Sequence, residues 1–249
     1  MKQLIIIGSG ISGLACSYYL RKKFKIKIFE QNDYLGGHTH THLLESEKIH
    51  YDSGFIVFND KNYPNFIKMI NALRVKYQTS NMSFSVTNDK INYEWAGKNL
   101  RTIFDIKNIF TIRYFKILRD IIRFSKLCEN SALIHDYSLK KFLYKNNFSK
   151  EFINLYLLPM CSSIWSSDLK DIKNYNTSFI LNFFKNHGLN NILTKRPTWY
   201  TIKNGSKSYI KKIIKIVKPK IYLNEKVIKV DQKKKYIKTG GNKKYNYDH

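Results

Sequence analysis

Acidic residues are scarce in this sequence: 18 Asp and Glu stand against 44 Lys and Arg, a formal charge of +26 over 249 residues. Such a balance points to acidic partners, whether phosphates, anionic lipid or nucleic acid. No run of basic residues dominates, however, and no nucleic-acid motif is visible, so no specific nucleic acid partner is expected. Lys, Asn, Ile, Tyr and Phe are abundant throughout, which reads more simply as a compositional bias. Cysteine is also rare. Cys16, Cys128 and Cys161 lie far apart and form no CxxC pair, which excludes a disulfide framework and favours reduced thiols in a cytoplasmic setting. No uncharged stretch reaches the ~18 residues of a membrane span, and the apolar run Leu4 to Ile7 is too short for a signal-peptide core. What is present is a globular composition: 43% hydrophobic and 15% aromatic residues, enough for a real core in one or two domains and too much for disorder.

The beginning of the chain carries the clearest local pattern. Leu4 to Ile7 reads as a buried parallel strand stopped by Gly8, Ser12 to Arg21 as a helix, and Lys25 to Glu30 as a second strand: a βαβ unit. Ile49 to Phe58 is strand-like with a break at Gly54, Pro64 suits the first turn of a helix, and Met82 to Thr87 pairs with Ile91 to Trp95 as a hairpin. The sequence then turns helical: Phe104 to Glu129, Ser138 to Lys145, Lys150 to Leu158, and Thr177 to Asn186 with Gly188 as its stop. From Trp199 the α/β pattern returns, with strands at Trp199 to Ile202, Ile221 to Leu223, Lys226 to Val230 and Tyr236 to Thr239, and a helix from Lys207 to Val217. The expected architecture is α/β: a Rossmann-like dinucleotide domain split in sequence, residues 1–60 and 198–249, around a mainly helical substrate domain, 61–197.

Gly8-Ser9-Gly10-Ile11-Ser12-Gly13 is a GxGxxG match. Three glycines in six residues arise easily by chance. Here they follow an apolar strand and open a helix, and Glu30 closes the next strand. Gly8 permits a tight turn, Gly10 lets backbone approach a pyrophosphate, and Gly13 lets helix and strand pack closely. The diphosphate would sit at the helix N-terminus, where free N–H groups and the dipole favour anions. Glu30 stands where an acid accepts the ribose hydroxyls, which disfavours a 2′-phosphate but does not separate NAD from FAD. Ser17 occupies a position where a smaller residue is usual.

The run Glu30-Gln31-Asn32-Asp33-Tyr34-Leu35-Gly36-Gly37-His38-Thr39 resembles the paired-glycine motif that follows the second strand in the flavin amine oxidase and phytoene desaturase superfamily. Further segments, among them Asp52-Ser53-Gly54-Phe55, Tyr63-Pro64-Asn65, Leu158-Pro159-Met160, Asn186-His187-Gly188 and Arg196-Pro197, are similar to a bacterial group of NAD/FAD-binding oxidoreductases within it. The resemblance implies FAD as cofactor and an oxidoreductase that takes a hydride from an apolar substrate, with fatty-acyl chains of membrane lipids among the candidates. It implies that Gly54 and Phe55 lie near the flavin ring, that Val227 is the backbone clamp on adenine, and that Asn204-Gly205-Ser206 is a turn returning the chain to the cofactor domain. The superfamily commonly has Arg where this chain has His38. Its members are also longer, so a complementing C-terminal segment or chain is expected, and the alternative is a non-catalytic or partial dinucleotide-binding fragment. No catalytic side chain is identified.

Other candidate groups have plainer readings. His38, His40 and His42 alternate as metal ligands might on one strand face, but no carboxylate or cysteine completes a set, and no metal is expected. Asp168, Asp171 and His187 are read as a cap and a helix end rather than an acid–base set, and Cys161 as a packed thiol. The apolar stripe and basic face of Phe104 to Glu129 suit either a core helix or peripheral contact with an anionic membrane at its inner face.

Overall fold

A computed structural model of the chain describes residues 1–82, 84–96, 111–130, 137–189 and 197–249. It divides into two compact units, Met1–Ser80 with Trp199–His249, and Asn81–Thr198. In chain order the first unit opens with β1 (Lys2–Ile7), α1 (Ile11–Leu20), β2 (Phe24–Phe29), β3 (Thr41–Leu44), β4 (Ile49–Asp52), β5 (Phe58–Asn59), α2 (Pro64–Ala72) and β6 (Tyr77–Thr79). The second unit holds β7 (Ser85–Asn88), β8 (Tyr93–Ala96), α3 (Ile112–Glu129), α4 (Leu139–Lys145), α5 (Lys150–Phe152), α6 (Leu158–Trp165), α7 (Leu169–Ile172) and α8 (Thr177–Asn186). The chain then returns to the first unit with β9 (Trp199–Ile202), α9 (Lys207–Val217), β10 (Lys220–Tyr222), β11 (Val227–Asp231), β12 (Tyr236–Thr239) and β13 (Lys244–Asn246).

The centre of the first unit is a parallel sheet in the order β1-β2-β10. β1 carries the continuous apolar run Leu4–Ile7, whereas β2 alternates, with Lys25 and Lys27 between Phe24, Ile26 and Ile28. Ile28 and Phe29 of β2 are fully buried: Ile28 shares a core with Leu14 of α1 and Ile210 and Ile213 of α9, and the Phe29 ring stacks on Tyr222 of β10 at 4.5 Å. Residues 248 and 249 lie along the outer side of β1: Gln3 O accepts the Asp248 N–H at 3.1 Å, and the Ile5 N–H donates to His249 O at 3.0 Å. The meander β11-β12-β13 and the hairpin β3–β4 are antiparallel. The opening leg of this unit runs to Ser80, past residue 60. Met69 and Ile70 of α2 are buried in the same core, and β6 pairs with β9, as does β5.

In the second unit the β7–β8 hairpin turns at Asp89–Ile91, with Asn92 left-handed at φ 45°. The hairpin strand expected from Met82 includes residue 83, and the helix expected from Phe104 begins at 104; residues 83 and 97–110 lie outside the described set, as does Arg196. The helix expected to stop at Leu158 continues to Trp165, through a π-helical turn at Ile153–Leu157. Proline at position 159 offers no N–H to the carbonyl four residues back, Leu155 O. The buried Trp95 indole N–H donates to that carbonyl at 2.8 Å and gives it the partner that the proline withholds. Asp120 is fully buried on α3. It accepts from the Ser149 N–H at 2.7 Å and pairs with Arg123 and Arg119, fastening α3 to the start of α5.

Candidate functional site: a glycine turn, a carboxylate and a second glycine loop

The glycine turn begins where β1 ends. Gly8 has φ +90°, a conformation that side chains resist, and its N–H donates to Phe29 O at 2.8 Å. Gly10 is the N-cap of α1, and no side chain caps that helix, so the first-turn N–H groups have no side-chain partner. A Cβ on Gly10 would meet nothing within 4 Å, so the space over the helix N-terminus is open. A Cβ on Gly13 would sit 2.3 Å from Gly8 O, which shows how closely α1 packs on the turn. Ser17 is accommodated because its hydroxyl donates to Leu14 O at 2.6 Å, inside its own helix.

Glu30 follows β2 and is 5% exposed. One carboxylate oxygen accepts from both the N–H and the hydroxyl of Ser9, at 2.8 and 2.6 Å, and the other accepts from the Asn32 N–H at 3.0 Å. Burial pushes its pKa up, but hydrogen bonds from the Ser9 hydroxyl and from the backbone of Asn32, Ser9 and Gln31 more than offset it, so the carboxyl lies below the ordinary range. An ionised carboxylate offers about four acceptor sites, two on each oxygen; Ser9 fills both on one oxygen, and the oxygen facing Asn32 keeps capacity for a further donor. The role of Ser9 as the link between the turn and the acid was not legible in the motif, where its position is free.

The paired glycines come back against the turn. The Gly36 N–H donates to Ser9 O at 3.1 Å, and Gly10 and Gly36 form an isolated parallel bridge. A Cβ on Gly37 would lie 3.2 Å from the Gly10 Cα, while one on Gly36 would lie 2.5 Å from Thr39 O and from the Ile210 Cδ1. This loop is therefore pressed between the glycine turn on one side and α9 on the other. The Thr39 hydroxyl meets the buried Tyr209 hydroxyl at 2.6 Å. Burial pushes the Tyr209 pKa up to about 12, so the phenol is neutral.

Gly54 packs on His38: a Cβ there would sit 1.8 Å from His38 O, which also accepts the Phe55 N–H at 3.2 Å. The Phe55 ring packs edge-on against Phe66, 5.3 Å between centroids. Asp52 accepts the Ser206 N–H at 3.0 and 2.9 Å and the Ser206 hydroxyl at 2.9 Å. Thr41 donates to the same carboxylate and accepts the Lys207 N–H at 2.9 Å. The turn Asn204-Gly205-Ser206 and the start of α9 are thus bound to the β3–β4 hairpin, with Gly205 at φ +84° close over Thr41. Asp52 and Ser206 were quoted in the sequence only as matching segments; the clasp between them needs positions 154 residues apart. Near the other end of the site, the Asn224 and Glu225 N–H groups donate to Asn32 O and Glu30 O, at 3.1 and 2.9 Å. Val227 opens β11 just beyond, so its backbone starts close to the Glu30–Asn32 segment.

The remaining candidates have structural partners. The rings of Tyr34, His40, His42 and Tyr51 form a ladder, with centroids 4.5, 4.2 and 5.1 Å apart, and His38 is not in it. Among the described residues no group of three His, Cys, Asp or Glu side chains is gathered as for a metal ion. Asp168 caps α7, and His187 follows α8 with its ring stacked 3.9 Å from Phe183. Cys161 is fully buried, and burial pushes its thiol up to about 12.

Residues 6–73 match the model for NAD(P)-binding Rossmann-like domains. A 1-hydroxycarotenoid 3,4-desaturase of Flavobacterium sp. (strain P99-3) is 29% identical over 222 residues, 84% of this chain and 41% of its own length. The solved cyclohexylamine oxidase of Brevibacterium oxydans IH-35A superposes on all of this chain and 56% of its own, with a TM-score of 0.72 at 16% identity. At this identity the likeness shows a shared fold. A fatty acid isomerase from P. acnes shares it too, at a TM-score of 0.64 and 13% identity over 99% of this chain and 57% of its own. The chain thus has the α/β architecture expected, with the Rossmann-like glycine turn at its start, and it spans somewhat over half of those two solved chains and 41% of the desaturase.

Proposed function

We propose that the first unit binds FAD and that the chain belongs to an FAD-dependent oxidoreductase acting on an apolar, fatty-acyl-like substrate. The observation that carries the reading is the open, uncapped N-terminus of α1 bordered by the tethered Glu30. Diphosphate would be held by the backbone N–H groups following Gly10, with Gly37 close behind. The ribose hydroxyls would donate to Glu30. The adenine would lie by Gln31 and the Val227 backbone, and the flavin end toward Gly36, His38, Thr39, Gly54 and Phe55. Bound there, FAD would supply hydride-accepting chemistry at its flavin ring. The chain's own residues bind and orient it: Ser9 holds Glu30 in place, Ile11 and Ser12 carry phosphate-facing N–H groups, and Gly54 lets the His38 segment approach.

A second reading rests on length. The chain covers 41% of the desaturase and 56% of the cyclohexylamine oxidase, so a partial dinucleotide binder that needs a complementing C-terminal chain accounts for the same site. The test is the visible flavin band of the chain after incubation with FAD and desalting, alone and with the complementary C-terminal segment of a relative. Retention by the chain alone supports the first reading; retention only with the added segment supports the second. No retention in either case would refute both.

Contact with an anionic lipid surface is a subsidiary proposal. No helix among the described residues is long and apolar enough to cross a membrane. On α3, Ile112, Phe115 and Ile122 are exposed beside Arg113 and Lys126. Part of the basic face has an internal use, since Lys116 pairs with Glu151 and Arg119 and Arg123 with Asp120. The expected result is cosedimentation with phosphatidylglycerol vesicles, lost in an Ile112→Ser/Phe115→Ser variant; equal sedimentation of that variant would exclude α3 as the contact.

A further inference from the structure

Behind the paired-glycine loop, on the side away from Gly10, the first unit has a cleft of about 520 Å3. Of its lining residues only Thr39 also belongs to the proposed cofactor site. Its apolar lining includes Leu35, Ile210, Ile214 and Leu223. One wall is the stacked pair Tyr34 and His40, 4.5 Å between ring centroids and 16° between planes. Along α9 stand Lys207, Lys211 and Lys215, all exposed and all lining the cleft. At i, i+4 and i+8 they fall on one stripe of the helix, about 6 Å apart along its axis. Asp33 is the one acid in the lining, so the lysines and the aspartate together leave a formal charge of +2. None of the three lysines enters an ion pair among the described residues.

Like charges at i, i+4 spacing destabilise a helix unless something neutralises them. An apolar cleft with a few convergent charges on one edge is the usual form of a site for a small amphiphile. We infer that this cleft binds an amphiphilic anion, with an acyl or other apolar body over Leu35, Ile210 and Ile214 and a carboxylate or phosphate head held by Lys211 and Lys215. Single N+–H···O− contacts of this kind are charge-assisted, and at an exposed rim they are screened by salt. The site is separate from the dinucleotide site, since the Gly36–Gly37 loop stands between Ile210 and Gly10.

The experiment is calorimetric titration of the full 249-residue chain, preincubated with FAD, with four probes. Decanoate and decyl phosphate carry the apolar body with the two head groups. Decanol has the body without charge, and inorganic phosphate the charge without the body. One or both of the first two should bind saturably, and the head group preferred identifies the source as a free acyl acid or a phosphate ester. Decanol and phosphate should each bind at least about tenfold more weakly. The Lys211→Glu/Lys215→Glu variant should weaken binding by about tenfold or more while leaving FAD retention as in the parent. A milder Lys211→Gln/Lys215→Gln variant serves if the first does not fold. Unchanged affinity in either folded variant, decanol binding equal to decanoate, or no binding of either charged amphiphile would overturn the inference. Because FAD retention is read separately, none of these results depends on the cofactor reading.

Discussion

Glu30→Gln is the substitution whose consequences are best defined by the structure. The carboxylate accepts three hydrogen bonds, two on one oxygen from Ser9 and one on the other from Asn32, and it is buried. Glutamine has one carbonyl oxygen and one NH2. With its oxygen turned to Ser9, the NH2 faces the Asn32 N–H, donor against donor; turned the other way, it faces both Ser9 donors. Hydrogen bonds to a charged group contribute about 1.5–3 kcal/mol, and a buried donor left unmet costs about 1–3 kcal/mol. Losing one bond and the charge assistance of the others gives an expected destabilisation of roughly 2–4 kcal/mol. The pH dependence has a definite sign. Glu30 is held below the ordinary carboxylate range in the folded chain, so its contribution is fully present above that range and is lost as pH falls through the lowered folded value. Urea unfolding of the nucleotide-free chain, with amide exchange in β1 and β2 to assign the change to the first unit, should show a lower midpoint for Glu30→Gln at neutral pH. The gap should close on acidification. A loss below about 0.5 kcal/mol, within the range of ordinary surface substitutions, with a parental acid limb would refute this account of the tether.

Three further outcomes can be checked by the same unfolding measurements. Gly13→Ala places a Cβ 2.3 Å from Gly8 O, a backbone atom that cannot swing away, and should cost about 1–3 kcal/mol or more and lower FAD retention as well; a neutral result would mean that α1 does not pack this closely. Trp95→Phe removes the donor to Leu155 O and should destabilise the second unit by about 1–3 kcal/mol, with faster exchange around Ile153–Leu157. Asp120→Asn should loosen α3 from the start of α5, because a neutral amide removes the charge assistance from the Ser149 N–H bond that crosses between them; unchanged protection of α3 would contradict that role.

The βαβ start was readable because each of its signals is local: a continuous apolar strand, three glycines, a helix stripe and an acid at the right distance. The same holds for α9 and for the turn at Gly188, which has φ +64° where a helix stop was expected. The clasps were not readable. Ser9 to Glu30, Asp52 to Ser206 and Thr39 to Tyr209 join positions up to 170 residues apart, and nothing in the spacing of polar residues announces which pairs will meet. The continuation of the helix past Pro159 was missed for a similar reason, since the sequence shows the missing N–H but not the Trp95 donor that compensates for it. The basic face of α3 suited either a core helix or contact with an anionic membrane; three of its cations have acidic partners within the second unit, which spacing alone does not show. The extension of the first unit to Ser80 depends on β6 reaching β9, a pairing of three residues too short to carry a strand pattern.

The central claim is that open space over Gly10 is where the cofactor's diphosphate lies. Gly10 has φ −63° and no neighbour within 4 Å of a Cβ, so Gly10→Val should fold as the parent does, apart from a modest N-cap penalty of up to about 1 kcal/mol. The direct measurement is FAD retained per chain after desalting, parent beside variant, with thermal unfolding of both cofactor-free proteins as the control. The account predicts a flavin-loaded parent and a colourless variant of nearly equal cofactor-free stability; a variant that retains FAD as well as the parent would contradict it.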